Sequence, residues 1–87
     1  MNRRIVRLTA PWCAPCKDMD KIMEVVKTNL PSITYEVVDV DKDPTLQIQT
    51  RAGLPALLIY NSNGHLHRTL SGLRTANEII EEVSKIA

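Results

Sequence analysis

Apolar positions along the chain change their period several times, and the changes delimit its elements. Ile5-Val6-Arg7-Leu8 is short and β-branched and is bounded by Thr9-Ala10-Pro11, the signature of a strand. Met19, Ile22, Met23, Val26 and Leu30 then recur at helical spacing. That stripe predicts a helix from about Ala14 to Asn29, closed by Pro31 because the residue before a proline avoids the helical region. Ile33 to Val40 is rich in Val and Ile and predicts a second strand, parallel to the first through the helical crossover. Asp43 and Pro44 read as the cap and first turn of a short helix, Thr45 to Arg51, which Ala52-Gly53-Leu54-Pro55 breaks.

Ala56 to Tyr60 is a third strand. Asn61-Ser62-Asn63-Gly64 is a hairpin turn, His65 to Ser71 returns antiparallel, and Gly72 ends that strand. Thr75-Ala76-Asn77-Glu78 is a capping box, and Ala76, Ile79, Ile80, Val83 and Ile86 line one face of the last helix. This order predicts one α/β domain over residues 1–87, a four-stranded mixed sheet with helices on both faces.

Charge and length narrow the function classes. A net charge of +1 gives no basic footprint for nucleic acid, so none is expected as a partner. The apolar runs are too short to span a bilayer, so no membrane association is expected. Arg3-Arg4 is not followed by the long apolar stretch of an export signal and reads as a solvated strand end. The expected location is the cytoplasm.

The candidate chemistry lies in Cys13-Ala14-Pro15-Cys16. A bridge between these cysteines closes a tiny loop, and the entropy removed by closing a tiny loop is small. Such a bond does little for stability, so the pair reads as chemical rather than structural. The competing reading is half of a zinc site, with His65 and His67 completing four ligands. Alternate residues on a hairpin strand more often form a solvated or packed face, so no metal is expected. Met19 and Met23 belong to the core stripe.

Trp12-Cys13-Ala14-Pro15-Cys16-Lys17, directly after a strand and opening a helix, resembles the active site of the thioredoxin family. Gly53-Leu54-Pro55-Ala56 is similar to that family's segment carrying a cis-proline. Val38-Asp39-Val40-Asp41 with Pro44, the Asn63-Gly64 turn and Gly72 add to the likeness, which runs from about Ile5 to Ile86. The chain resembles a short thioredoxin/glutaredoxin-like protein without the N-terminal strand and helix.

The resemblance implies a minimal thioredoxin fold, βαβ-α-ββα, and thiol–disulfide exchange in the reducing direction. Cys13 is then the nucleophile, Cys16 the resolving thiol, and a redox-active Cys13–Cys16 disulfide takes the place of any cofactor. Trp12 becomes an apolar shoulder beside an exposed sulfur, and Pro15 starts the helix. The Leu54 backbone beside cis-Pro55 offers pairing to an extended substrate, and Gly72 lets that substrate approach. Implied partners are disulfide-containing proteins, ribonucleotide reductase among them, and an upstream donor of the thioredoxin-reductase type, with the chain a monomer. Two rivals stand beside this reading: a glutathione-dependent glutaredoxin-like enzyme, and a non-catalytic binding subunit using the surface of Trp12, Pro55 and Gly72.

One departure changes the chemistry. Arg7 stands where the family carries a buried carboxylate six residues before the first cysteine, and Val37 where its partner lysine lies. Either water or Asp39 then serves the second thiol. By analogy with related motifs, a Cys13 pKa lowered at the helix N-terminus from about 8.5 toward about 7 is expected, which would raise the thiolate fraction roughly fifteen-fold. Nucleophilicity drops by roughly four- to six-fold over the same change. The net gain is a few-fold, so proximity of Cys16 to a mixed disulfide is the larger device.

Overall fold

The computed structural model describes residues 3–86, so Met1, Asn2 and Ala87 of the expected domain lie outside the described residues. Seven elements follow in order: β1 Arg4–Thr9, α1 Ala14–Asn29, β2 Thr34–Asp39, α2 Thr45–Thr50, β3 Ala56–Tyr60, β4 Leu66–Ser71 and α3 Ala76–Ser84. The strands form one sheet in the order β2-β1-β3-β4. β1 and β2 are parallel, with Ile5 opposite Tyr35, whereas β3 runs antiparallel to both β1 and β4. This is the expected mixed sheet of a minimal thioredoxin fold.

Alternation along the central strands sorts the core into two layers. Ile5, Leu57, Ile59 and Leu70 pack with Met19, Met23 and Val26 of α1 and with Ile79 and Val83 of α3. Val6, Leu8, Ala56 and Leu58 face the other way and pack with Val40, Ala52 and both cysteines, and Leu46 of α2 closes over them. α1 and α3 therefore cover one face of the sheet and α2 the other.

Element ends follow local chemistry. α2 stops at Thr50 because Arg51 turns left-handed (φ 55°) and its N–H closes on Gln47 O at 2.7 Å. Pro44, not Asp43, occupies the N-cap position of α2, and Asp43 Oδ1 accepts from Thr45 N–H at 3.2 Å. The capping box forms as predicted: Glu78 N–H donates to Thr75 Oγ1 at 3.1 Å and Thr75 N–H to Glu78 Oε1 at 3.3 Å. In the hairpin loop Asn61 is the organiser, since its Oδ1 accepts from Asn63 N–H and His65 N–H at 3.0 and 3.1 Å. Arg3 is tied down, because its Nη1 donates to the carbonyls of Val83 and Ile86 at the end of α3, at 3.1 and 3.3 Å.

A register shift pairs Ile59 with Arg68 but Tyr60 with Leu66, leaving His67 as the extra residue of a bulge. Neighbours that would alternate in a regular strand both reach Glu82 of α3: Arg68 Nη1 at 3.4 Å and His67 Nε2 at 3.6 Å. Lys85 Nζ joins at 3.2 Å. Burial works against the Glu82 charge, but the Lys85 hydrogen bond and the Arg68 and Lys85 charges outweigh it, and the pKa is lowered from 4.5. A carboxylate with a lowered folded pKa stabilises the fold above its unfolded value and loses that contribution as pH falls through the folded one. Glu82→Gln is therefore expected to lower the urea midpoint at pH 7. The gap to the wild type should close as pH falls below 4.5. A gap that persists unchanged at pH 3 would assign the loss to packing instead.

Candidate active site

β1 ends against a tight turn. Cys13 N–H donates to Ala10 O at 3.1 Å, which reverses the chain over Pro11 and Trp12 and starts α1. Cys13 is the N-cap residue, with extended φ and ψ of −93° and 101°, and Pro15 sits in the first turn, where its missing N–H leaves no bond unmade. Cys16 N–H donates to Cys13 O at 3.2 Å. The two Cα atoms are 5.3 Å apart and the sulfurs are joined in a disulfide. No acidic residue occupies the first turn, so nothing there offsets the positive end of the helix beside Cys13.

The surroundings are mostly apolar. Cys13 and Cys16 belong to the buried layer that also holds Ala10 and Ala56, and Leu54, from the loop before β3, packs against that layer. Cys13 is only 5% exposed and Cys16 2%, so Cys13 is more enclosed in the oxidised state than its expected role as an exposed sulfur implies. The exposed surface beside it is Trp12, at 67%.

Trp12 is anchored by a residue that the sequence reading did not single out for the site. Its Nε1 donates to both carboxylate oxygens of Asp41 at 3.1 Å. Asp41 is oriented in turn, because its own N–H donates to Asp39 Oδ1 at 2.9 Å. The available signal was the Asp39-Val40-Asp41 spacing at the end of β2, which places an acceptor in a turn beyond a strand.

The Leu54–Pro55 peptide is cis. Pro55 O accepts from Gly72 N–H at 2.8 Å, which joins this loop to the end of β4. Gly72 has φ +83°, and a Cβ placed there would meet open space, so within the chain the glycine is required by its dihedral angle. Neither the N–H nor the C=O of Leu54 finds a backbone partner among the described residues.

Arg7 is buried, at 5% exposure. It projects from β1 onto α1, where Nη2 donates to Cys16 O at 2.9 Å and pairs with the Asp20 carboxylate. A groove of about 300 Å³ runs alongside, lined by Arg7, Cys16, Lys17, Asp20, Val37 and Asp39 among others. Asp39 thus borders the same groove as Cys16, while Val37 is half exposed at 54%.

His65 and His67 cannot join the cysteines around a metal. Strand register puts Ala56 and Ser71 at the disulfide end of the sheet and Tyr60 and Leu66 at the other, with the two histidines beside Leu66. No group of three or more His, Cys, Asp or Glu among the described residues is placed to hold a metal ion. No helix among those residues is long and apolar enough to cross a membrane.

Chemically, the arrangement stores two electrons as a dithiol at a helix N-terminus and releases them by forming one S–S bond. Comparison with known proteins agrees with that capacity. The family model described as Thioredoxin matches residues 1–85. A thioredoxin of Chlamydia trachomatis is 28% identical over 82 residues, covering 93% of this chain and 79% of its own length. A thioredoxin of Rickettsia bellii is 28% identical over 83 residues, covering 92% and 77%.

Among solved structures, a malaria-parasite thioredoxin-2 superposes with a TM-score of 0.87 at 20% identity, over 97% of this chain and 82% of its own. The oxidised mitochondrial thioredoxin 3 of Saccharomyces cerevisiae gives 0.86 at 19%, over 98% and 79%. These structures speak to the fold, and the family match to the chemistry of the paired cysteines. A thiol pair capping the first helix, on this sheet and within that sequence family, leaves one conclusion: the chain belongs to the thioredoxin family and is a thiol–disulfide oxidoreductase.

Proposed function

We propose that the chain works as a reductant of protein disulfides, with Cys13 the attacking and Cys16 the resolving thiol. The observation that carries this reading is the position of Cys13: N-cap of α1, with no acidic residue in the first turn, beside exposed Trp12. A thiolate there is favoured by unpaired helix N–H groups. It attacks one sulfur of the substrate disulfide, whose S–S bond breaks and whose other sulfur leaves as a thiolate. Cys16 then attacks Cys13 Sγ, expels the second substrate sulfur, and leaves the substrate reduced and the pair oxidised.

Substrate is held by backbone more than by side chains in this reading. The unpaired N–H and C=O of Leu54 offer strand-like pairing to an extended segment, with Trp12 and Gly72 flanking it. The two sulfurs hold the electrons, so no further cofactor takes part. The electrons come from a donor of the thioredoxin-reductase type and pass to proteins such as ribonucleotide reductase, the chain acting as a monomeric cytoplasmic electron carrier.

Insulin reduction tests this directly. With NADPH and a thioredoxin reductase, turnover is expected, and replacing that system with glutathione and its reductase should cut it by tenfold or more. Equal or better turnover with glutathione would overturn the reading in favour of a glutaredoxin-like enzyme.

A further inference from the structure

Arg7 is the only charged side chain buried among the described residues. Its guanidinium is held by two groups of α1. Nη2 donates to Cys16 O at 2.9 Å and pairs with Asp20, one helical turn beyond Cys16 on α1. Tyr35 of β2 lines the same side of the molecule as Arg7 and Asp20, and its hydroxyl oxygen and Arg7 Nε are both buried without a hydrogen-bond partner among the described residues. Burial opposes the Arg7 charge, but Tyr35 and Asp20 favour it more strongly and its pKa is raised. The guanidinium is therefore charged at every working pH.

The two halves of the ion pair are unequally solvated. The Arg7 side chain is 7% exposed and that of Asp20 64%, so water screens the carboxylate more than the cation and the pair cancels only in part. The Cys16 sulfur is four covalent bonds from the carbonyl oxygen that Arg7 grips, which puts the charge within roughly 8 Å of it. At that range, through protein rather than water, a cation favours an anionic neighbour. The other charged groups on this side are Lys17 and Asp20 of α1 and Asp39 of β2, all on the groove that reaches Cys16.

We propose that Arg7 is a positioning residue for the second half of the reaction: its buried charge favours the thiolate of Cys16, and the groove between α1 and β2 takes the released proton to solvent. The proposal rests on Cys16 being the resolving thiol. The step is the loss of one proton from Cys16 Sγ, followed by attack of the electron pair left on that sulfur on Cys13 Sγ. The Cys13–substrate bond breaks as the Cys13–Cys16 bond forms, and the substrate sulfur leaves with the electrons. A cation at this place cannot accept the proton. It acts by stabilising the charge left behind.

The ionisation of Cys16 can be read without turnover in a Cys13→Ser background, from the ¹³Cβ shift of labelled cysteine against pH. Arg7→Met is expected to raise the midpoint by about one pH unit, the order expected of one opposite charge at roughly 8 Å through an effective dielectric of about 20, reduced by its Asp20 partner. Arg7→Lys should restore most of that change. Asp20→Asn, at an exposed position, removes the partly compensating carboxylate and should move the midpoint down. In the two-cysteine protein, Arg7→Met should lengthen the life of the mixed disulfide at pH 7 by up to tenfold.

Opposite movements in Arg7→Met and Asp20→Asn support the charge effect, because mere loosening of α1 from β1 would move both the same way. Equal midpoints in all these proteins, or movement in one direction, would overturn it. If Arg7→Met does not fold, Asp20→Asn decides the sign: a midpoint below that of the wild type supports the charge effect, and one at or above it overturns it. Shifted midpoints in a protein that fails to reduce insulin would count against the reductase reading and leave the role of Arg7 standing.

Discussion

Cys16→Ser is expected to stop turnover after its first half and to leave the protein covalently attached to its substrate. Cys13 keeps its place at the N-cap of α1, so attack on a disulfide proceeds. What disappears is the internal thiol that releases the substrate. Well-oriented intramolecular groups reach effective molarities of about 10⁵ M or more. An external thiol at millimolar concentration cannot replace that, and steady-state insulin reduction should fall by at least about a thousandfold. Non-reducing mass spectrometry should then find a one-to-one adduct that dithiothreitol releases. Cys13→Ser should lose both turnover and adduct, because Cys13 is the N-cap of α1 whereas Cys16 lies inside the first turn of the helix, behind it. Turnover above one tenth of the wild type in Cys16→Ser, with no adduct, would mean that Cys16 does not resolve the intermediate.

The largest stability effect is expected in the middle of the sheet. Leu57 lies on β3 between β1 and β4, opposite Arg7 on one side and Leu70 on the other. It is fully buried and packs with Ile5, Met19 and Val83. Truncating a buried leucine costs about 3–5 kcal/mol, the removed apolar surface and the cavity acting together. A domain of this length holds roughly 4–13 kcal/mol in all. Leu57→Ala should therefore lower the urea midpoint by about 2 M or more, given slopes near 1–1.5 kcal/mol/M for small domains. Leu66→Ala, at a position 44% exposed, is the control and should stay within about 0.5 kcal/mol of wild type. A drop below 0.5 M for Leu57→Ala would show that the core collapses around the missing side chain.

Much of this molecule is legible before folding because its instructions are local. The helical spacing of Met19, Met23 and Val26, the break at Pro31 and the Thr75–Glu78 box each act within a few residues, and α1 and α3 start where they say. The last turn predicted for α3 does not form: the helix ends at Ser84, although Ile86 still packs on the core. Cys13-Ala14-Pro15-Cys16 is equally local, since the helix that places Cys13 at its N-cap begins within the motif itself.

What stayed hidden depends on partners distant in sequence. Arg3 reads as a solvated strand end, yet it grips carbonyls 80 and 83 positions away. Asp41 becomes the anchor of Trp12 only because the ends of β1 and β2 lie side by side in register. Arg7 looks like a charge interrupting a strand; its burial, its hold on Cys16 and the groove beside it exist only once α1 is laid across β1. Short-range periodicity, caps and prolines thus decided the elements and the reacting pair from the sequence alone. Tertiary structure decided the electrostatics around that pair, because a charge acts through whatever the fold brings within a few ångströms, and no spacing along the chain encodes that neighbourhood.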